Sequence, residues 1–434
     1  MRDWLRGTRT MAGITMVEAL RSRAWLLLVL ATVVVLAAVP RLRAANPADG
    51  LRLSVAVVTG TISFAVVMFA LQGGIAPVRR DLEQRCMLSL LSKPLPRSAY
   101  VAGRWLGTLA LLACAVVALD LVGTLSIRLQ VGRLVAPMIT RAPESGWVVR
   151  SGQALPLPPT AERVILAGRL DAGHGEAVRW QFTDLPSGAS ELSLLLRAQV
   201  TGIDLAHQIE RTPVSVSAIA ADGRSQRLRL DPASPYGQAT GPSDMPEPIQ
   251  LAGRSERRRD FGRDYARLQV PGALVRDGRL TVQIDRLRSE ARLFFHRESS
   301  VLIATRVGSF LGNVLRAGAI TLAAAGLLAA CGLFLVTVAR MGVALLGGLT
   351  MLFGGHLLSY AESELLAGAE GPVARALALL VRLMPDFARY PVEANLAASR
   401  HIGWGMVADA WVYYGIFIAV FLGAAMLAMR RLET

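Results

Sequence analysis

Lysine and cysteine are nearly missing from this sequence. Lys93 is the single lysine among 47 basic residues, and since a Walker A loop needs GxxxxGK[ST], the residues around it exclude a standard phosphate loop. The chain therefore cannot bind ATP through such a loop of its own. The 3 cysteines are Cys86, Cys114 and Cys331, and the long middle region has none, so no disulfide framework is expected. Each cysteine is read as a small apolar residue. The 5 histidines, His174, His207, His296, His356 and His401, form no zinc-type spacing, and no GxSxG elbow occurs. Carboxylates such as those in Asp222-Gly223 and Asp277-Gly278 stand where Asp stabilises turns. No catalytic residue, metal ligand or cofactor-binding residue is assigned.

A net charge of +15 would suit a nucleic-acid partner if basic residues were interleaved with aromatics, but they are scattered over loops and helix ends. Membrane topology accounts for much of the excess. Hydrophobic residues make up 53% of the 434 positions and the mean hydropathy is +0.43, above an ordinary soluble domain. Five or six stretches have the length and apolarity of a spanning helix, whereas a secretory signal would give one short run near the start. The N-terminus is expected to be retained.

Residues 9 to 23 place Met11, Ile14, Val17 and Leu20 at helical spacing, an amphipathic interfacial pattern. Spans are predicted over Ala24–Val39, Leu53–Leu71, Trp105–Leu125, Ala317–Val338, Met341–Tyr360 and Trp411–Met429. The charged segment from Gln72 to Arg104 is cytoplasmic by the positive-inside rule, and the arginines near both termini agree. Arg41 and Arg43, in the first outer turn, run against the rule. Gly371–Met384 is short, with Gly and Pro at its start and Pro385 after it, so it reads as interfacial or re-entrant. The result is an α-helical membrane protein of six transmembrane helices, multi-pass in a bacterial inner membrane, with both termini cytoplasmic.

An all-β domain interrupts this pattern. From Ser126 to Arg306 hydropathy falls and short alternating segments appear: Val178–Phe182, Leu192–Val200, Val214–Ala220, Arg227–Leu230, Ala266–Val270, Leu280–Ile284 and Ala291–Phe295. Split by Gly, Pro and Asp turns, they predict an antiparallel sandwich outside the cytoplasm. Asp231–Pro248 and Ala252–Arg263 read as exposed loops. The domains are thus 1–125, 126–306 and 307–434, with a coupling loop at 72–104. Asp120 and His356 are ionisable residues within apolar stretches, which marks either a polar intramembrane site or a helix contact, and Asp120 near an outer end can also reach the headgroups.

The segment Asp81–Gly107 resembles the first cytoplasmic loop of type-2 ABC transporter permeases: an acidic start at Asp81 and Glu83, a leucine run at Leu90 and Leu91, the turn Ser92, Lys93 and Pro94, then Arg97, Ser98, Tyr100 and Gly103. Arg85 and Cys86 stand where that family often has Gly-Thr. The resemblance extends to the N-terminal helix and to the fourth and fifth spans, and leaves out the middle domain. It implies a permease subunit without a nucleotide site of its own, paired as a homodimer or heterodimer, and driven by a separate P-loop ATPase that binds the ATP. Membrane lipid is the other expected partner. The ATPase-coupling interface would comprise Asp81, Glu83, Leu88, Leu90, Leu91, Ser92, Lys93, Pro94 and Arg97, charges pairing with the ATPase and leucines filling a groove. Export is the implied direction. Leu268–Asp285 is similar to the strand-turn-strand ending of jelly-roll, galactose-binding-like domains. The alternative reading is a membrane-anchored scaffold whose outer domain captures a glycan or envelope partner.

Overall fold

The computed structural model describes residues 2–41, 47–83, 96–131, 138–150, 153–158, 163–166, 176–185, 192–196, 199–201, 211–230, 249–252, 266–286, 292–296, 300–360, 384–397 and 399–431. Two compact units result: Met1–Pro137 with Gly308–Thr434, and Met138–Val307. The first is helical, the second built of strands. The boundary expected at Ser126 falls inside a helix that continues to Val131.

The helical unit contains α1 (Arg2–Arg21), α2 (Arg23–Ala38), α3 (Pro47–Glu83), α4 (Arg97–Val131), α5 (Phe310–Val338), α6 (Met341–Tyr360), the short α7 (Val392–Ala397) and α8 (Trp404–Arg431). Four of these, α3, α4, α5 and α8, are long and apolar enough to cross a membrane, and a fifth span results if α1 and α2, bent by 62°, count as one. α6 is a shorter apolar helix. Among the described residues the six spans expected thus become four or five by length and composition. Of the expected interfacial or re-entrant piece, residues 371–383 lie outside the described residues.

The helices outrun their apolar cores. α3 continues through Arg79–Glu83, held by an i,i+4 pair of 2.6 Å, and α4 begins at Arg97, so most of the segment predicted as a cytoplasmic loop is helix. Pro77 lies inside α3, where it offers no N–H to the carbonyl of Gly73. Thr108 Oγ1 donates to that carbonyl at 3.2 Å instead, so a neighbouring helix satisfies the freed group.

Close backbone approach organises this unit. A Cβ on Gly103 would lie 2.5 Å from Met11 Cβ, and one on Gly107 would lie 2.6 Å from the Ala12 carbonyl oxygen. These two glycines, one turn apart, form the slot on α4 into which α1 settles. Met11 is therefore buried while Ile14, Val17 and Leu20 remain exposed; the amphipathic face expected as one stripe is divided between a helix partner and the surface. On α5 the run of Ala and Gly around Ala329 receives Gly74 of α3, and Trp105 Nε1 donates to the Gly326 carbonyl at 2.9 Å.

One cluster joins Met11 of α1, Ile75 and Val78 of α3, Tyr100 and Val101 of α4, Leu333 and Val336 of α5, Ala344 of α6, and Ala425 and Met429 of α8. The C-terminal ends of α3, α5 and α8 thus meet the N-terminal ends of α4 and α6. Arg79, Arg80, Arg97, Arg340, Arg430 and Arg431 belong to these ends.

The strand unit is antiparallel throughout its named pairs. One sheet has the order β1 (Met138–Arg141), β15 (Val301–Arg306), β6 (Leu192–Leu196), β12 (Ala266–Val270) and β10 (Arg229–Leu230). A second runs β11 (Ile249–Ala252), β8 (Arg211–Ile219), β13 (Leu280–Arg286), β5 (Ala177–Phe182), β2 (Ser145–Arg150) and β3 (Gln153–Pro156), with β9 (Ser225–Arg227) also on β8. A third contains β4 (Arg163–Leu166), β14 (Arg292–His296) and β7 (Gln199–Thr201). Alternate residues of the first two sheets, including Leu192, Leu194, Leu196, Val178, Trp180 and Phe182, enter one core, as a sandwich requires.

Pairing of β1 with β15 aligns Met138 with Arg306. The first and last strands are neighbours, so the unit can enter and leave the helical chain at one place. The expected strand Leu192–Val200 divides into β6 and β7, which belong to different sheets. Leu268–Asp285 also changes sheet, since β12 and β13 lie in separate sheets. Its turn has positive φ at both Asp277 and Gly278, the type I′ geometry those residues favour. The expected loops Asp231–Pro248 and 253–263 lie outside the described residues.

Candidate functional site

The two helices flanking residues 84–96 end in a buried ionic knot. Arg104 is one turn after Tyr100 on α4, and only 3% of it is exposed. Its Nη2 donates to Asp81 Oδ2 at 2.5 Å and its Nη1 to Glu18 Oε2 at 2.5 Å and Thr15 Oγ1 at 3.2 Å. Tyr100 donates its hydroxyl to the same Asp81 oxygen at 2.5 Å, and the guanidinium carbon lies 5.6 Å from the Tyr100 ring centre. Three helices, α1, α3 and α4, are tied through one side chain. A guanidinium can do this because its planar fork presents several fixed donors. Trp4 Nε1 adds a bond to Ser98 Oγ at 3.1 Å, fixing the start of α4 to α1.

Asp81 was expected to pair with an ATPase, but its side chain is only 10% exposed and its oxygen is taken by Arg104 and Tyr100. It points inward, where it fixes the end of α3. Glu83 is the outward group: its side chain is 60% exposed and it pairs with Arg79. Arg97 opens α4. Leu88, Leu90, Leu91, Ser92, Lys93 and Pro94 lie outside the described residues. Arg104 and Glu18 were not singled out by the sequence reading, although a basic residue four positions after Tyr100 on a helix start was a usable signal.

Asp120 and His356 have different surroundings. Asp120 is 5% exposed, its Oδ2 has no hydrogen-bond partner among the described residues, and Gly318 of α5 leaves the space that the carboxylate fills. Far from reaching headgroups, it is sealed between two helices. Thr124 Oγ1, one turn on, is also buried without a partner among the described residues. His356 is exposed on α6, its Nδ1 2.9 Å from the Leu352 carbonyl and its ring stacked 5.7 Å from Phe387. Among the described residues no group of three His, Cys, Asp or Glu could hold a metal ion.

A second polar region ties residues 384–403 to the membrane helices. Asn313 of α5 donates to the Arg400 carbonyl and accepts from Ile402 N–H, each at 2.8 Å. Arg316 donates to the Ile402 carbonyl at 2.7 Å, and Ser63 of α3 donates to Glu393 of α7 at 2.7 Å.

These features define a multi-pass helical membrane protein with a separate β-sheet unit placed in the chain between its fourth and fifth helices. Residues 10–139 match the family model described as ABC-2 family transporter protein. That stretch runs from α1 through α4 and includes Glu18, Asp81, Tyr100 and Arg104. The match covers less than a third of the chain and ends at the start of the β-sheet unit. No curated protein and no solved structure matches the chain.

Proposed function

We propose that this chain is the membrane-spanning permease subunit of an ABC exporter, working in a permease dimer on two copies of a separate cytoplasmic P-loop ATPase. The family match over residues 10–139 carries this reading. A permease without its own nucleotide site receives force through a surface docked on the ATPase. Residues 84–96 are the proposed surface, because both flanking helix ends are anchored through Arg104 to a third helix. A displacement there would pass to α1 and α4 together rather than dissipate in a loose loop. Asp81 is then a positioning residue, and Glu83 the charge offered to the ATPase.

In the proposed topology six spans, α2 to α6 and α8, place both termini, the arginine-bearing ends and residues 84–96 in the cytoplasm. The β unit then lies outside the inner membrane, and its sandwich is read as jelly-roll-like on Leu268–Asp285. The test is co-purification of the full chain in mild detergent. It should retain a P-loop ATPase and stimulate its turnover, and Glu83→Arg should weaken that stimulation about tenfold, the effect of turning an attractive interfacial charge into a repulsive one. Absence of any retained ATPase would remove the transport reading.

A further inference from the structure

A groove of about 430 Å³ runs between α5, α6 and α8. Cys331 and Leu335 of α5 form its floor, Leu346 and Thr350 of α6 one wall, and Phe417 and Phe421 of α8 the other. Each pair is four residues apart, so each helix gives the groove one face. Its volume falls in the range of small-molecule sites. Leu346 is 65% exposed, so the wall on α6 is open to the surroundings of the bundle. In a membrane those surroundings are hydrocarbon.

A polar pair lies beyond the groove, one ring contact removed from its lining. Met384 and Pro385 close one end of the groove, and the chain beyond them carries Arg389 and Tyr390. Phe417 contacts Tyr413 at 5.4 Å between ring centres, and the Arg389 guanidinium lies 4.6 Å over Tyr413. Arg389 and Asp409 stand 3.8 Å apart, with side chains 49% and 57% exposed. A single long contact between half-exposed groups is a weak pair, so both retain bonding capacity. Tyr390 donates its hydroxyl to Asp409 at 2.5 Å. Burial and then this carboxylate push the Tyr390 phenol up to about 12, so it remains a donor at neutral pH.

An apolar groove with one cation and one anion beyond it, across the Phe417–Tyr413 contact, matches an amphiphile whose headgroup carries both charges. We propose that this is a binding site for a zwitterionic phospholipid of the phosphoethanolamine type. An acyl chain lies in the groove, the phosphate meets Arg389, and the ammonium meets Asp409. Arginine suits the phosphate geometrically, and Arg389 is held in place over the Tyr413 ring. An anionic lipid would meet Asp409 with like charge, which selects against it. The site stands on the membrane location of α5, α6 and α8 and is independent of ATPase coupling.

The test uses the full chain in nanodiscs with phosphatidylethanolamine carrying a diazirine midway along one acyl chain, crosslinks being located by mass spectrometry. Labelling should concentrate on the groove, at Thr350 and Phe421. Excess phosphatidylethanolamine should suppress it, while phosphatidylglycerol should not. Thr350→Trp, which fills the groove from an exposed position, and Arg389→Gln, which removes the phosphate contact, should each lower groove labelling about tenfold. Asp409→Asn should let phosphatidylglycerol compete as well as phosphatidylethanolamine. Labelling spread equally over Val412 and Ile416 on the open face of α8, labelling indifferent to Thr350→Trp, or equal competition by both lipids in the unsubstituted protein would each overturn the proposal.

Discussion

The helical unit and the strand unit solve the packing problem with opposite materials. In the strand unit large side chains alternate inward, Trp180, Phe182 and Leu194 among them, and polar residues such as Gln181 face outward. In the helical unit Leu26, Leu27, Leu30 and Val34 of α2 and Val412, Ile416 and Val420 of α8 are exposed, while Arg104, Asp120 and Asn313 are buried. Its tightest helix contacts are made where Gly74, Gly103 and Gly107 lie against neighbouring helices. The solvent explains the inversion. Water drives large apolar groups together, whereas hydrocarbon gives Leu no reason to leave the surface, so helices associate through close backbone approach and interhelical hydrogen bonds.

The same kind of change should therefore act differently in the two units. The largest effect is expected at Arg104: Arg104→Leu leaves Asp81 buried without its counter-charge, a loss of about 3–5 kcal/mol. Replacing the ions of the knot together, Arg104→Leu with Asp81→Leu and Glu18→Gln, should recover much of that stability. Melting of the full chain in detergent checks this. If that combined variant melts as low as the single one, the knot stabilises by packing rather than charge pairing. In the strand unit Trp180→Ala should cost a similar amount, about 3–5 kcal/mol, for a different reason, a cavity under Gly146. Limited proteolysis of the full chain should then cut within 138–307 while the helices remain protected.

A smaller effect separates the two kinds of core. Gly74→Val places a branched side chain against the backbone of Ala329, which cannot move aside as a side chain can. Overpacking of this kind costs about 1–3 kcal/mol. Gln181→Leu, on the outward side of β5, gives up one half-buried bond from Ser145 Oγ and should cost at most about 1 kcal/mol. Equal melting shifts for the two would contradict the assignment of the helical core to backbone approach.

Local pattern was legible in the sequence and distant partnership was not. Met341–Tyr360 and Ala266–Val270 could be read to the residue, because hydropathy and alternation are written in consecutive positions. The ends of α3 and α4 could not, because charge at a membrane boundary lowers hydropathy without breaking a helix. The pairing of β1 with β15 joins Met138 to Arg306, and the Thr108 bond that offsets Pro77 reaches back to Gly73; neither leaves a local trace. At the candidate site Asp81 and Tyr100 were visible as motif residues, yet their orientation toward Arg104 depends on α1, which arrives from the other end of that segment. The bond from Arg104 to Asp81 therefore left no mark in the motif itself.

The smallest expected effect concerns pH at the junction of α5 with the segment before α8. His401 lies 3.1 Å and 3.3 Å, by its two ring nitrogens, from Arg316 Nη1. Burial first, and then the positive charge of Arg316, hold its imidazole below the usual histidine range. A neutral ring can accept from the guanidinium; a protonated one would repel it. In the unfolded chain the same group takes a proton near its ordinary value, about 6.5. The unfolded state therefore binds more protons between that value and the lower one of the folded state, so stability rises with pH across this window. The contribution is present above about pH 6.5 and is lost as the solution is acidified below it. Carboxylates elsewhere also titrate under acid, which makes the difference between two proteins the informative quantity. His401→Gln keeps an acceptor for Arg316 but cannot gain a charge, so its melting temperature should fall less than that of the unsubstituted chain between about pH 7.5 and about pH 5, either side of the histidine range. Identical pH profiles would show that the ring is solvated and protonated without penalty, and that the Ile402 and Gly312 carbonyls hold Arg316 without it.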